Sequence, residues 1–139
     1  MNSNVSNRAG TKLSRLVIIL AIVMIVNVVV IILLTPIGFE TRPQSALKPL
    51  GYIAIATIFV GLALDVASIV LLFKRVRVRL ASSLVILSSV LFLLVIFVDR
   101  TGSFFSVPIP PAINTLEYLL IAVLIATVFV ATLVYRGSK

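Results

Sequence analysis

The chain has 139 residues, of which 61% are hydrophobic and 12% charged, and its formal net charge is +8. Such a composition lies far from that of a soluble globular domain, and a basic balance on so apolar a chain points to topology signals and anionic lipid, not to nucleic acid. Cysteine and histidine are absent, which excludes disulfides, thiolate chemistry, Cys or His metal sites and His-ligated haem, so no metal or cofactor is expected.

A transmembrane helix needs about 20 mostly apolar residues to cross a hydrocarbon core of about 30 Å. Residues 16–34, 51–73, 80–98 and 116–135 meet that requirement. They are apolar on every side, whereas barrel strands alternate over about ten residues, so helices are the consistent reading. The expected fold class is all-α: a polytopic integral membrane protein forming an antiparallel bundle of four transmembrane helices.

Residues 1–15 are polar and place Arg8, Lys12 and Arg15 ahead of the first apolar run. The h-region of a cleaved signal peptide is roughly 7 to 15 residues long and ends in small residues. Span 16–34 is longer and leads into Thr35 and Pro36, so it reads as an uncleaved signal anchor behind a polar, basic tail. Apart from Ala21 and Asn27 the span is almost entirely Ile, Val and Leu, and it is expected to face lipid or a partner as an apolar anchor.

Loop 35–50 comes next, and Pro49 suits the first turn of span 51–73, where its missing N–H costs nothing. Tyr52 marks the headgroup level at one end of that span. Loop 74–79, with Lys74, Arg75, Arg77 and Arg79, is so short that spans 51–73 and 80–98 must form a hairpin. Loop 99–115 interleaves Phe104, Phe105, Val107 and Ile109 with Pro108, Pro110 and Pro111, as loop 35–50 sets Phe39 between Pro36 and Pro43. Proline-stiffened apolar loops lose little entropy on docking, either into headgroups or onto another subunit. Asn114 followed by Glu117 reads as an N-cap with an acidic third position for span 116–135. Tyr118 and Tyr135 bracket that span about 26 Å apart, as interfacial anchors do. Residues 136–139 form a short tail.

Positive residues are retained on the cytoplasmic side. Arg8, Lys12, Arg15, Lys74, Arg75, Arg77, Arg79, Arg136 and Lys139 flank one set of span ends, against Arg42, Lys48 and Arg100 at the other. Both termini are therefore expected on the cytoplasmic side, N-in and C-in, in a multi-pass protein of the cell membrane. The inner cations read as topology signals, with anionic lipid or a cytoplasmic partner as the alternative use.

Asp65 is the ionisable residue inside a span, where such residues are functional candidates. Its cost of about 2.5–3.5 kcal/mol at a span centre is offset by the Ile, Leu, Val and Phe around it, each worth about 0.3–0.6, so insertion needs no partner charge. Asp65 lies about 12 Å from the inner end, out of easy reach of the cations there. Two roles stand side by side: a neutral Asp65 that joins helices through hydrogen bonds, and an ion, proton or partner-pairing site. Counted from the inner ends, Ser88, Ser89 and Thr127 fall at its depth and Asn27 about one turn away. Ala54, Thr57, Gly61, Asp65 and Ser68 project within about 80° on one face, a small-residue seam that suits close helix packing. Ser82 with Ser89, Ala122 with Ala126, and Thr127 with Ala131 align in the same way. Span 51–73, which holds Asp65 and the seam, is thus expected to be the interior element.

No catalytic set emerges. An aspartate dyad shares a proton at about 3 Å, whereas Asp65 and Asp99 differ in depth by about 16 Å. No phosphate-cradling glycine loop is present. The expectation is a non-enzymatic accessory or structural subunit of a larger membrane complex, in contact with other integral membrane subunits and lipid. The alternative is a small oligomeric transporter or channel, possible as a homo-oligomer, that uses Asp65 as an ion or proton site.

Overall fold

The computed structural model describes the backbone of residues 2–41 and 44–138 and the side chains of 12–35 and 45–138. Expectations placed on Arg8, Pro36, Phe39, Arg42, Pro43 and Lys139 lie outside the described side chains. Four α-helices form among the described residues: α1 (Asn2–Thr41), α2 (Pro49–Lys74), α3 (Val78–Arg100) and α4 (Pro111–Gly137), with a short 3-10 turn at Gln44–Ala46. Each is long and apolar enough to cross a membrane, compatible with a multi-pass membrane protein.

The helices pack in a ring, α1 on α2, α2 on α3, α3 on α4 and α4 back on α1, and the α1–α2 contact is the slightest. Every helix buries a stripe with alternating steps of three and four residues. On α4 the stripe is Ile113, Glu117, Leu120, Leu124, Thr127, Ala131 and Val134. On α1 it is Val17, Leu20, Met24, Asn27 and Ile31. This 3.5-residue period keeps one face on its neighbours along the length of the helix, as in a coiled coil. On α2 it carries Gly51, Ala54, Gly61, Asp65, Ser68 and Leu72.

Two expectations about the helices are corrected. The first span is not merely an apolar anchor: its stripe is buried to the same degree as that of α3, while α2 buries the smallest share of the four. The reason is side-chain size. The small residues on α2 bring α3 close along one narrow line and leave Tyr52, Ile53, Phe59, Val66 and Phe73 outside, whereas α1 inserts Leu20 and Met24 into the core. Second, α1 continues beyond its apolar run at both ends. At its N-terminal side Leu13 and Leu16 pack against the core, and Arg75 Nη1 donates to Ser14 Oγ at 2.7 Å.

The expected cap of the fourth span is also corrected. Pro111 occupies the first turn of α4 with Pro110 before it, so the helix starts earlier than Asn114. Proline fixes φ near the helical value and sacrifices an N–H that the first turn cannot use, which favours this start over a side-chain cap. Asn114 N–H already donates to the Pro110 carbonyl (2.9 Å), and Glu117 turns into the bundle, 2% exposed.

The connections are tight. Between α2 and α3 the chain turns through Arg75 and Arg77, both left-handed at φ 55° and 47°. The Arg75 N–H caps α2 on the carbonyls of Leu71 and Leu72. At the opposite end the two long loops clasp each other: Lys48 N–H donates to the Phe104 carbonyl (2.7 Å) and Ser106 N–H to the Ala46 carbonyl (2.8 Å). Lys48 Nζ adds a bond to the Gly102 carbonyl (2.9 Å), and Phe104 is buried beneath the clasp. Gly51 permits this approach, because a Cβ there would run into the Leu47 side chain and lie 2.8 Å from the Phe104 carbonyl oxygen.

Candidate functional site

Two apolar clusters fill the bundle. One, towards the α2–α3 turn, joins Leu20, Met24, Leu72, Val85, Ala131 and Val134, and the other, towards the loop clasp, joins Val30, Ile31, Phe92, Ile96, Leu120 and Leu124. Between them the stripes become polar: Asn27 on α1, Asp65 on α2, Ser88 and Ser89 on α3, and Thr127 on α4, none more than 2% exposed. An apolar stripe residue at each position would have extended the core, so five polar groups at one level are costly unless their hydrogen bonds are met.

Those bonds form two pairs. Ser88 Oγ lies 2.5 Å from Asp65 Oδ1 and joins α3 to α2. Asn27 Nδ2 donates to Thr127 Oγ1 at 2.7 Å and joins α1 to α4. Thr127 passes its own proton to the Val123 carbonyl (2.7 Å). Ser88 Oγ is also 3.0 Å from the Val85 carbonyl. A hydroxyl carries one proton, so Ser88 donates to Asp65 when that carboxyl is anionic, and to Val85 when Asp65 itself donates. Asn27 Oδ1 is buried without a hydrogen-bond partner. Such an atom costs about 1–3 kcal/mol.

The other seam residues serve packing. A Cβ on Gly61 would meet the Phe92 ring at 2.6 Å, so this glycine makes room for the aromatic ring above the polar layer. Ser68 and Ser82 are buried with their hydroxyls turned back to Leu64 (2.7 Å) and Val78 (2.9 Å) of their own helices. Thr57 sits at the seam edge and bonds Ile53 (2.8 Å). Of the aligned pairs on α4, Thr127 and Ala131 face the core, while Ala122 and Ala126 are exposed.

A second polar group, at the end that carries the loop clasp, was not foreseen. Arg100, at the end of α3, lies over the Tyr118 ring at 4.4 Å. It donates to Asn114 Oδ1 (2.9 Å) and Tyr118 Oη (2.8 Å), and pairs with Glu117 at 3.5 Å. Asp99 and Glu117 are both buried, and both border an apolar cleft of about 180 Å³ lined by residues including Ala54, Ile58, Phe59 and Phe104. The signal was present in the spacing: Asp99 lies three residues after Ile96 and Glu117 four after Ile113, each on its helix's stripe.

At the end that holds the α2–α3 turn, Lys12, Arg15, Lys74, Arg75, Arg77, Arg79 and Arg136 are all exposed. Arg79 stacks over Tyr135 at 4.3 Å, the counterpart of Arg100 over Tyr118, so an Arg–Tyr pair fastens α3 to α4 at each end. Among the described residues no group of three acidic, His or Cys side chains that could hold a metal ion occurs. Comparison of the chain with protein-family models, with curated proteins and with solved structures gives no match.

Proposed function

We propose that this chain is a non-catalytic accessory or structural subunit of a larger complex in the cell membrane, with both termini on the cytoplasmic side. The observation that carries the reading is the clasp of the outer loops. Backbone bonds from Lys48 and Ser106 lock the two loops together, and Pro108 stands exposed beside half-buried Val107 and Ile109 around a hollow of about 310 Å³. A surface fixed in advance loses little entropy when a partner subunit docks. The orientation draws support from charge: seven exposed cations crowd the end that holds the α2–α3 turn, whereas the opposite end carries Lys48 and Arg100, the latter paired with Glu117. Purification in mild detergent followed by mass spectrometry tests the reading. Defined foreign membrane subunits in fixed ratio are expected; a homo-oligomer alone sinks it.

One observation favours a second reading, an oligomeric transporter or channel. The unpartnered Asn27 Oδ1 shares a layer with Asp65, an arrangement suited to a passing ion. Reconstituted vesicles would then show a cation or proton flux that Asp65→Asn abolishes.

A further inference from the structure

Hydrogen-bond bookkeeping in the polar layer leaves it short of positive charge. Thr127 gives its proton to Val123 and accepts from Asn27 Nδ2, so neither satisfies Asn27 Oδ1. Ser88 has one proton for two acceptors, Asp65 and the Val85 carbonyl. Every described Lys and Arg is exposed at an end of the bundle, so the Asp65 carboxylate faces no cationic side chain among the described residues.

We infer that the layer between α1 and α2–α3 is a binding site for one dehydrated monovalent cation of sodium size, held by Asp65, Asn27 Oδ1 and the neighbouring serine hydroxyls. The donors are all oxygens, which suits a hard ion. A single carboxylate matches a single charge, whereas a divalent ion would leave uncompensated charge between two apolar clusters. Coordination by both Asn27 and Asp65 would tie α1 to α2, the neighbouring pair in the ring with the slightest contact. The site lies in the layer invoked by the second reading, yet it requires no transport: an occluded structural ion fulfils it equally.

The test uses the full chain in mild detergent. Equilibrium dialysis with radioactive sodium is expected to give saturable binding of about one ion per chain, competed by unlabelled sodium and not by potassium or choline. The thermal midpoint should rise with sodium at an ionic strength held constant with choline. Asp65→Asn should abolish both effects, and Asn27→Leu should weaken binding about tenfold or more. Should Asp65→Asn not fold, Ser88→Ala serves in its place, with weakened binding expected. Absence of saturable sodium binding, equal competition by potassium, or unchanged binding in Asp65→Asn or its Ser88→Ala substitute overturns the inference. Co-purification of foreign subunits and vesicle flux decide the two functional readings separately, so any of the three can fail alone.

Discussion

At the scale of single residues, Gly61 and Arg100 carry the sharpest consequences. With the Phe92 ring 2.6 Å from where a Cβ would lie, Gly61→Leu has no room, and overpacking of this kind costs about 1–3 kcal/mol. Thermal unfolding in detergent should show that loss, and Phe92→Ala in the same chain should recover part of it, because the two sites are in contact. Arg100 serves Tyr118, Asn114 and Glu117 together. Arg100→Lys keeps the charge but not the planar fork, so it should destabilise this end of the bundle nearly as much as Arg100→Ala, by about 1–2 kcal/mol. The depth of Asp65, Ser88 and Thr127 was legible in the sequence, since helical rise converts position into level. Which hydroxyl meets which acid was not, because Ser88 and Ser89 lie at almost the same depth and only the rotation of α3 brings Ser88 to Asp65.

Among the elements, the α2–α3 hairpin stores strain where the loop is shortest. Arg77 is left-handed at φ 47° and makes no side-chain capping bond. Left-handed backbone costs a non-glycine residue about 1–2 kcal/mol, so Arg77→Gly should stabilise the hairpin by about 0.5–1 kcal/mol after glycine's greater unfolded entropy is counted, whereas Arg77→Val should destabilise it. Denaturant unfolding of the two variants compares them directly. The loop clasp has its own test. Leu47 and Phe105 face each other in an antiparallel bridge, and the chain has no native cysteine. Leu47→Cys with Phe105→Cys should therefore close a disulfide under mild oxidation, seen as faster electrophoretic migration of the unreduced protein. The existence of four apolar helices was legible because each run exceeds the bilayer requirement. The start of α4 was misjudged because two rules compete at Pro110, Pro111 and Asn114, and proline geometry outweighs the asparagine cap.

For the whole molecule, the proposed N-in and C-in orientation makes a clean prediction because any introduced cysteine is unique. A membrane-impermeant maleimide should label Ser106→Cys in intact cells and Val76→Cys only after permeabilisation; the reverse pattern inverts the topology. The number of spans, their approximate limits and the charge asymmetry followed from the sequence by itself, since length, hydropathy and the positions of Lys and Arg are one-dimensional properties that the bilayer reads directly. Only the tertiary structure decided which face of each helix turns inward. In lipid an apolar surface has little preference between a neighbouring helix and the solvent, so hydrophobicity cannot mark the interior as it does in water. Packing shape and polar contacts decide instead: Met24 and Asn27 draw α1 into the core, the small seam of α2 leaves most of that helix outside, and Glu117, which reads as a cap, is buried beside Arg100.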